Sequence, residues 1–154
     1  MNPDHKVKIK ILLGIAITGI VSIFFIGPIA QDLSYHIFAD RRSLLSIPNF
    51  WNVVTNIPFL IIGFLGMSFV LKMRSVGDFS PLFKSNFIFF AGIFFTAIGS
   101  AYYHFAPTNE TLVWDRLPMT ISFMAFFSII VGEFINVRSA KLLLWPLIVT
   151  GLLS

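Results

Sequence analysis

The chain has 154 residues, 56% of them hydrophobic and only 12% charged, with 19 phenylalanines and no cysteine. An ordinary soluble domain carries about 25% charged residues, so this composition excludes a soluble fold for want of polar surface. It also excludes disulfides, thiolate ligands and a thiol nucleophile. The formal net charge of +4 does not argue for nucleic acid, because the basic residues fall in short clusters between apolar runs, which is a topology signal.

A membrane-spanning helix needs roughly 20 mostly apolar residues. The first run that meets this is 11–29, uncharged and preceded by Lys6, Lys8 and Lys10. Its length exceeds that of a signal-peptide core, and Pro28-Ile29-Ala30 is a poor cleavage site, so it reads as a retained helix. Further spans are expected at 50–71, 85–103 and 115–132. A last run, 142–154, covers about 20 Å of a roughly 30 Å hydrocarbon core and reads as a partial fifth span. The expected fold is therefore all-α: one polytopic membrane helix bundle of four spans and a truncated fifth.

The connections alternate in charge. Eight of the 11 basic residues (Lys6, Lys8, Lys10, Lys72, Arg74, Lys84, Arg138 and Lys141) share one side, and Arg41, Arg42 and Arg116 share the other. The positive-inside rule places the N-terminus in the cytoplasm, with segments 30–49 and 104–116 on the outer face. The residues with chemical potential gather in those two outer segments and in the helix ends beside them.

Ser100 and His104 are four residues apart and share one face of the third span. A connection of 105–114 would bring Asp115, at the start of the fourth span, across from His104. A hydroxyl, an imidazole and a carboxylate would then converge near one membrane surface, where ionisable groups are costly and usually functional. Each residue also has a plainer reading. His104 beside Tyr102 and Tyr103 fits an interfacial aromatic belt, Asp115 three residues before Pro118 fits a helix cap, and a serine in such a helix commonly bonds its own backbone or packs against a neighbour. Asn49, Asn52 and Asn56 form a polar stripe on the second span, just before Pro58. Asn52 and Asn56 read either as support for the cluster or as interhelical hydrogen-bonding residues.

Ser100-x-x-x-His104, followed by Asp115 and Leu117-Pro118-Met119, resembles the alkaline ceramidase family, as do Phe50-Trp51-Asn52 and Thr55-Asn56. That family belongs to a group of seven-helix membrane hydrolases that includes adiponectin-receptor-like proteins. The likeness covers roughly residues 35–135, the amino-terminal part of such a fold. It implies a zinc-dependent hydrolase that cleaves lipid amides within the membrane. His104 would be a zinc ligand, Asp115 would hold and deprotonate the attacking water, and Ser100 would bond the water or the developing oxyanion. Calcium is less well supported, because of the family's acidic stretch only Asp40 and Asn49 fall at matching positions, with Asp32 further away. The His-x-x-x-His pair that supplies the family's other zinc ligands is not in this sequence. His5 lies on the cytoplasmic side, and His36, on the outer side, precedes the second span where the family has no ligand. These 154 residues by themselves are accordingly expected to be inactive. The alternatives are a non-catalytic membrane binding or scaffold protein, and a receptor-like relative.

Overall fold

The structure, a computed structural model, describes residues 3–23, 25, 31–76 and 80–153. They are all-α: helices α1 (Pro3–Ile23), α2 (Phe50–Val54), α3 (Ile57–Ser75), α4 (Phe83–Phe105), α5 (Asn109–Phe134) and α6 (Val137–Leu153), with a 3-10 turn at Leu33–His36. Among the described residues there is no strand, only an isolated bridge between Leu44 and Ile47. That bridge closes a tight turn whose tip, Leu45 and Ser46, has positive φ.

Three helical stretches, Phe50–Ser75, Phe83–Phe105 and Asn109–Phe134, are long and apolar enough to cross a membrane. Each runs beyond its expected span. The first run, expected at 11–29, begins as a helix at Pro3 and extends to Ile23, and residues 26–30 lie outside the described residues. Because α1 takes in Lys6, Lys8 and Lys10, it is less apolar than the run read from the sequence. The second span carries the break that Pro58 foretold. Proline offers no N–H to the carbonyl four residues back, and α2 ends at Val54 before α3 resumes at Ile57. Side chains satisfy the loosened turn. Asn56 donates to the Asn52 carbonyl at 2.8 Å, and Thr55 donates to that of Trp51 at 2.7 Å. In hydrocarbon an unpaired backbone group costs several kcal/mol, which is why a polar residue belongs at this otherwise apolar position.

The fourth span begins six residues before its expected start. Thr108 caps α5: its hydroxyl accepts from Thr111 N at 3.2 Å while its own N–H donates to Thr111 Oγ1 at 2.9 Å. This reciprocal box usually carries Glu or Gln at its third position; threonine fills it here. The connection between α4 and α5 therefore shrinks to 106–108, and Asp115 sits in the second turn of α5 rather than at its cap. The last helix likewise starts before 142, because Asn136 caps it by accepting from Ser139 N at 2.7 Å.

The helices pack as a sequential row, α3 on α4, α4 on α5 and α5 on α6, with α2 also against α4. Small residues permit the close approaches, as expected where apolar area alone does not drive association. A Cβ at Gly63 would overlap the Phe94 backbone of α4. Between α4 and α5 the contacts run antiparallel: Gly99 meets Trp114, Gly92 meets Ser122, and the Ser85 and Ser128 hydroxyls lie 2.9 Å apart. This register fixes which residues of α5 stand level with Ser100.

Candidate active site

Pro118 shapes the site from inside α5. It has no N–H for the carbonyl of Trp114, one turn earlier, and that carbonyl abuts Gly99, where a Cβ would overlap its oxygen. A close backbone approach of this kind needs glycine. It brings the Asp115 backbone to the level of Gly99 and Ser100, and the Asp115 carboxylate within electrostatic reach of both Tyr103 and His104. The structure thus brings together Ser100, His104 and Asp115.

His104 has an unusual environment. Its Nδ1 is buried and has no hydrogen-bond partner, the only such side-chain atom among the described residues. Its ring lies between Phe38, at 4.7 Å between centroids, and Tyr103, at 5.1 Å. Tyr103 is itself only 2% exposed. A buried imidazole nitrogen costs free energy unless something engages it, and no described residue engages this one. Ser100, 8% exposed, makes no hydrogen bond to a described residue, whereas Thr96, Thr120 and Thr150 all bond the carbonyl one turn back. The self-bonding reading of Ser100 therefore does not hold. Asp115, half-buried, forms no ion pair among the described residues, where the one such pair is Arg42–Asp40.

The segment 31–49 folds over the C-terminal end of α4, a placement its sequence spacing does not enforce. His36 is the anchor: Nε2 lies 2.9 Å from Asn109 Oδ1 and Nδ1 lies 3.0 Å from the Tyr103 hydroxyl. An amide oxygen only accepts, so Nε2 carries the proton and Nδ1 accepts from Tyr103. Both nitrogens are thereby committed, and His36 has none left for a metal. The side chain of His5 lies outside the described residues.

The asparagine stripe divides. Asn49, in a left-handed conformation at the head of α2, donates to the His104 carbonyl at 2.9 Å. Asn52 donates to the Asp40 carbonyl at 3.0 Å, and Asn56 bonds carbonyls of its own turn. Neither Asn52 nor Asn56 hydrogen-bonds to Ser100, His104 or Asp115. Asp40 is gripped by Arg42, whose Nε and Nη2 lie 2.8 and 3.0 Å from its two carboxylate oxygens. This pairing holds the Asp40 carboxyl below the usual carboxylate range. Asp32 turns back to accept from Ser34 N at 2.8 Å. Calcium takes six to eight oxygen ligands; the Asp40 carboxylate is held by a guanidinium and that of Asp32 accepts from Ser34 N, so both candidate carboxylates are engaged within the chain.

For zinc the fit is partial. The orphaned Nδ1 of His104 leaves one nitrogen of this imidazole without a competing partner among the described residues. A catalytic site needs three protein ligands, however, and among the described residues no three of His, Cys, Asp and Glu come together. The sequence singled out Ser100, His104 and Asp115, but not the Asn49 bond to the His104 carbonyl, the Phe38 ring against the imidazole, or the close approach at Gly99. The signal for Gly99 was available: it directly precedes Ser100, and Pro118 stands four residues after Trp114.

The sequence model of the Ceramidase family matches residues 44–154, a stretch that takes in Asn49, Ser100, His104 and Asp115. No curated protein and no solved structure gave a match. With the match extending over most of its length, the chain belongs to the ceramidase family.

Proposed function

We propose that the chain contributes the Ser100, His104 and Asp115 site of a zinc-dependent, membrane-embedded hydrolase of ceramide-type lipid amides. The observation that carries this reading is the buried, unpartnered Nδ1 of His104, one helical turn from Ser100 and within electrostatic reach of Asp115. Asp115 accepts a proton from the attacking water as its oxygen bonds to the amide carbon, and returns that proton to the nitrogen as the C–N bond breaks. Ser100, with no competing partner among the described residues, donates its hydroxyl to the developing oxyanion. Phe38 and Tyr103 keep bulk water from the imidazole, so that these charges act in a low dielectric. Zinc, when held by His104 and two further protein ligands, supplies Lewis-acid polarisation of the carbonyl and a lowered water pKa.

The test is hydrolysis of a long-chain ceramide by the enzyme in native membranes. Ser100→Ala lowers turnover about 100- to 1,000-fold, as loss of one oxyanion donor does, with little change in KM. Full activity in Ser100→Ala would remove the hydroxyl from the mechanism.

The site belongs to the outer membrane face, with the N-terminus cytoplasmic, on the distribution of eight basic residues against three. With no native cysteine, single-cysteine labelling reads this directly. An impermeant reagent on intact cells labels Ser43→Cys and spares Ser75→Cys. The reverse pattern would invert the topology.

A further inference from the structure

At the end of the bundle opposite Ser100 and His104, α4 begins beside α6. The gap between them is a cavity of about 260 Å³ whose lining includes Leu82, Lys84, Ser85, Lys141, Leu144 and Trp145. Its floor is closed and satisfied. Leu82, Ser85 and Leu144 are 3%, 2% and 2% exposed. The Ser85 hydroxyl bonds that of Ser128 at 2.9 Å, and Ser128 donates to the Ala140 carbonyl at 3.0 Å. The floor therefore leaves no polar group seeking a ligand.

The rim is different in kind. Lys84 rises from α4 and Lys141 from α6, both exposed, and neither forms an ion pair among the described residues. Trp145 follows Lys141 by one turn and leaves 56% of its surface uncovered. Two lysines from different helices thus line one apolar cavity with an indole at its edge. An anion seated there would pair with both. A soluble anion gains nothing from Leu144 and Trp145, whereas a phospholipid offers charge and hydrocarbon together. Basic pockets between membrane helices on the cytoplasmic side bind anionic headgroups on these grounds, and tryptophan settles at the headgroup level. Lys72 and Arg138 share this face without lining the cavity, so the general positive-inside bias does not account for the pair.

We propose that this cavity binds the phosphate of an anionic membrane phospholipid, with Lys84 and Lys141 on the headgroup and Trp145 along the upper acyl chain, so that the lipid bridges α4 and α6. Trp145 is its own reporter once Trp51 and Trp114, both toward the other end of the bundle, are replaced by phenylalanine. The protein is placed in phosphatidylcholine nanodiscs, and its fluorescence is followed as brominated phosphatidylglycerol or brominated phosphatidylcholine is introduced. The anionic phosphatidylglycerol quenches at the lower mole fraction. That preference falls about fivefold for each lysine lost, following the contribution of one basic residue at an anionic surface. Lys84→Gln with Lys141→Gln abolishes it, Lys84→Arg with Lys141→Arg retains it, and Lys72→Gln with Arg138→Gln leaves it within about twofold, since neither lines the cavity. Equal quenching by the two lipids, or equal loss in the 84/141 and 72/138 glutamine pairs, would overturn the proposal. Release of the brominated lipid by excess inorganic phosphate would assign the site to the free anion and overturn the lipid assignment.

Discussion

Asp115→Asn lowers amide hydrolysis about 100- to 10,000-fold, the range that general-base catalysis spans, while leaving metal content and fold intact. The asparagine amide has the size of the carboxylate but cannot take the proton of the attacking water. Asp115 has no ion pair among the described residues to lose, and it lies in the second turn of a helix capped independently by Thr108, so its exchange removes chemistry rather than structure. The check is paired: ceramide turnover in native membranes and zinc by elemental analysis of the same preparation. Full turnover in Asp115→Asn would show that the proton goes elsewhere.

His104→Ala has the larger consequence, because it removes binding and chemistry together. Zinc and activity fall in parallel to background, and added zinc restores neither. The fold tolerates the change better than most buried truncations, since Nδ1 makes no hydrogen bond that would be broken and the Asn49 bond goes to the backbone carbonyl, which remains. Loss of the ring contact with Phe38 leaves a cavity, for which about 2–4 kcal/mol of destabilisation is ordinary. Thermal unfolding followed by circular dichroism separates this packing cost from the loss of metal. A protein that keeps zinc and activity without His104 would sink the ligand assignment.

The three long apolar helical stretches, Phe50–Ser75, Phe83–Phe105 and Asn109–Phe134, were legible because hydropathy and length are properties of contiguous residues. The approach of Asp115 to His104 was legible because a short connection makes α4 and α5 antiparallel neighbours. The start of α5 was not, since its capping box uses Thr111 where Glu or Gln is the usual signal, and Asn109 and Glu110 read as loop. Nor was the role of segment 31–49. His36 reaches Tyr103 and Asn109, 67 and 73 residues away, and no local pattern encodes contacts of that range. The same holds for Asn49: the stripe it forms with Asn52 and Asn56 was visible, but which of the three faces His104 depends on the break at Pro58 and on the left-handed backbone at Asn49.

The most direct test of the account is removal and return of metal. Native membranes containing the enzyme are treated with a zinc-selective chelator, and fatty acid release from ceramide is measured before treatment, after it, and after zinc is added back. The account predicts activity that disappears with the chelator and returns with zinc in the wild type, with no return in His104→Ala. Ceramide hydrolysis that is indifferent to the chelator, or that zinc restores equally well without His104, would contradict it.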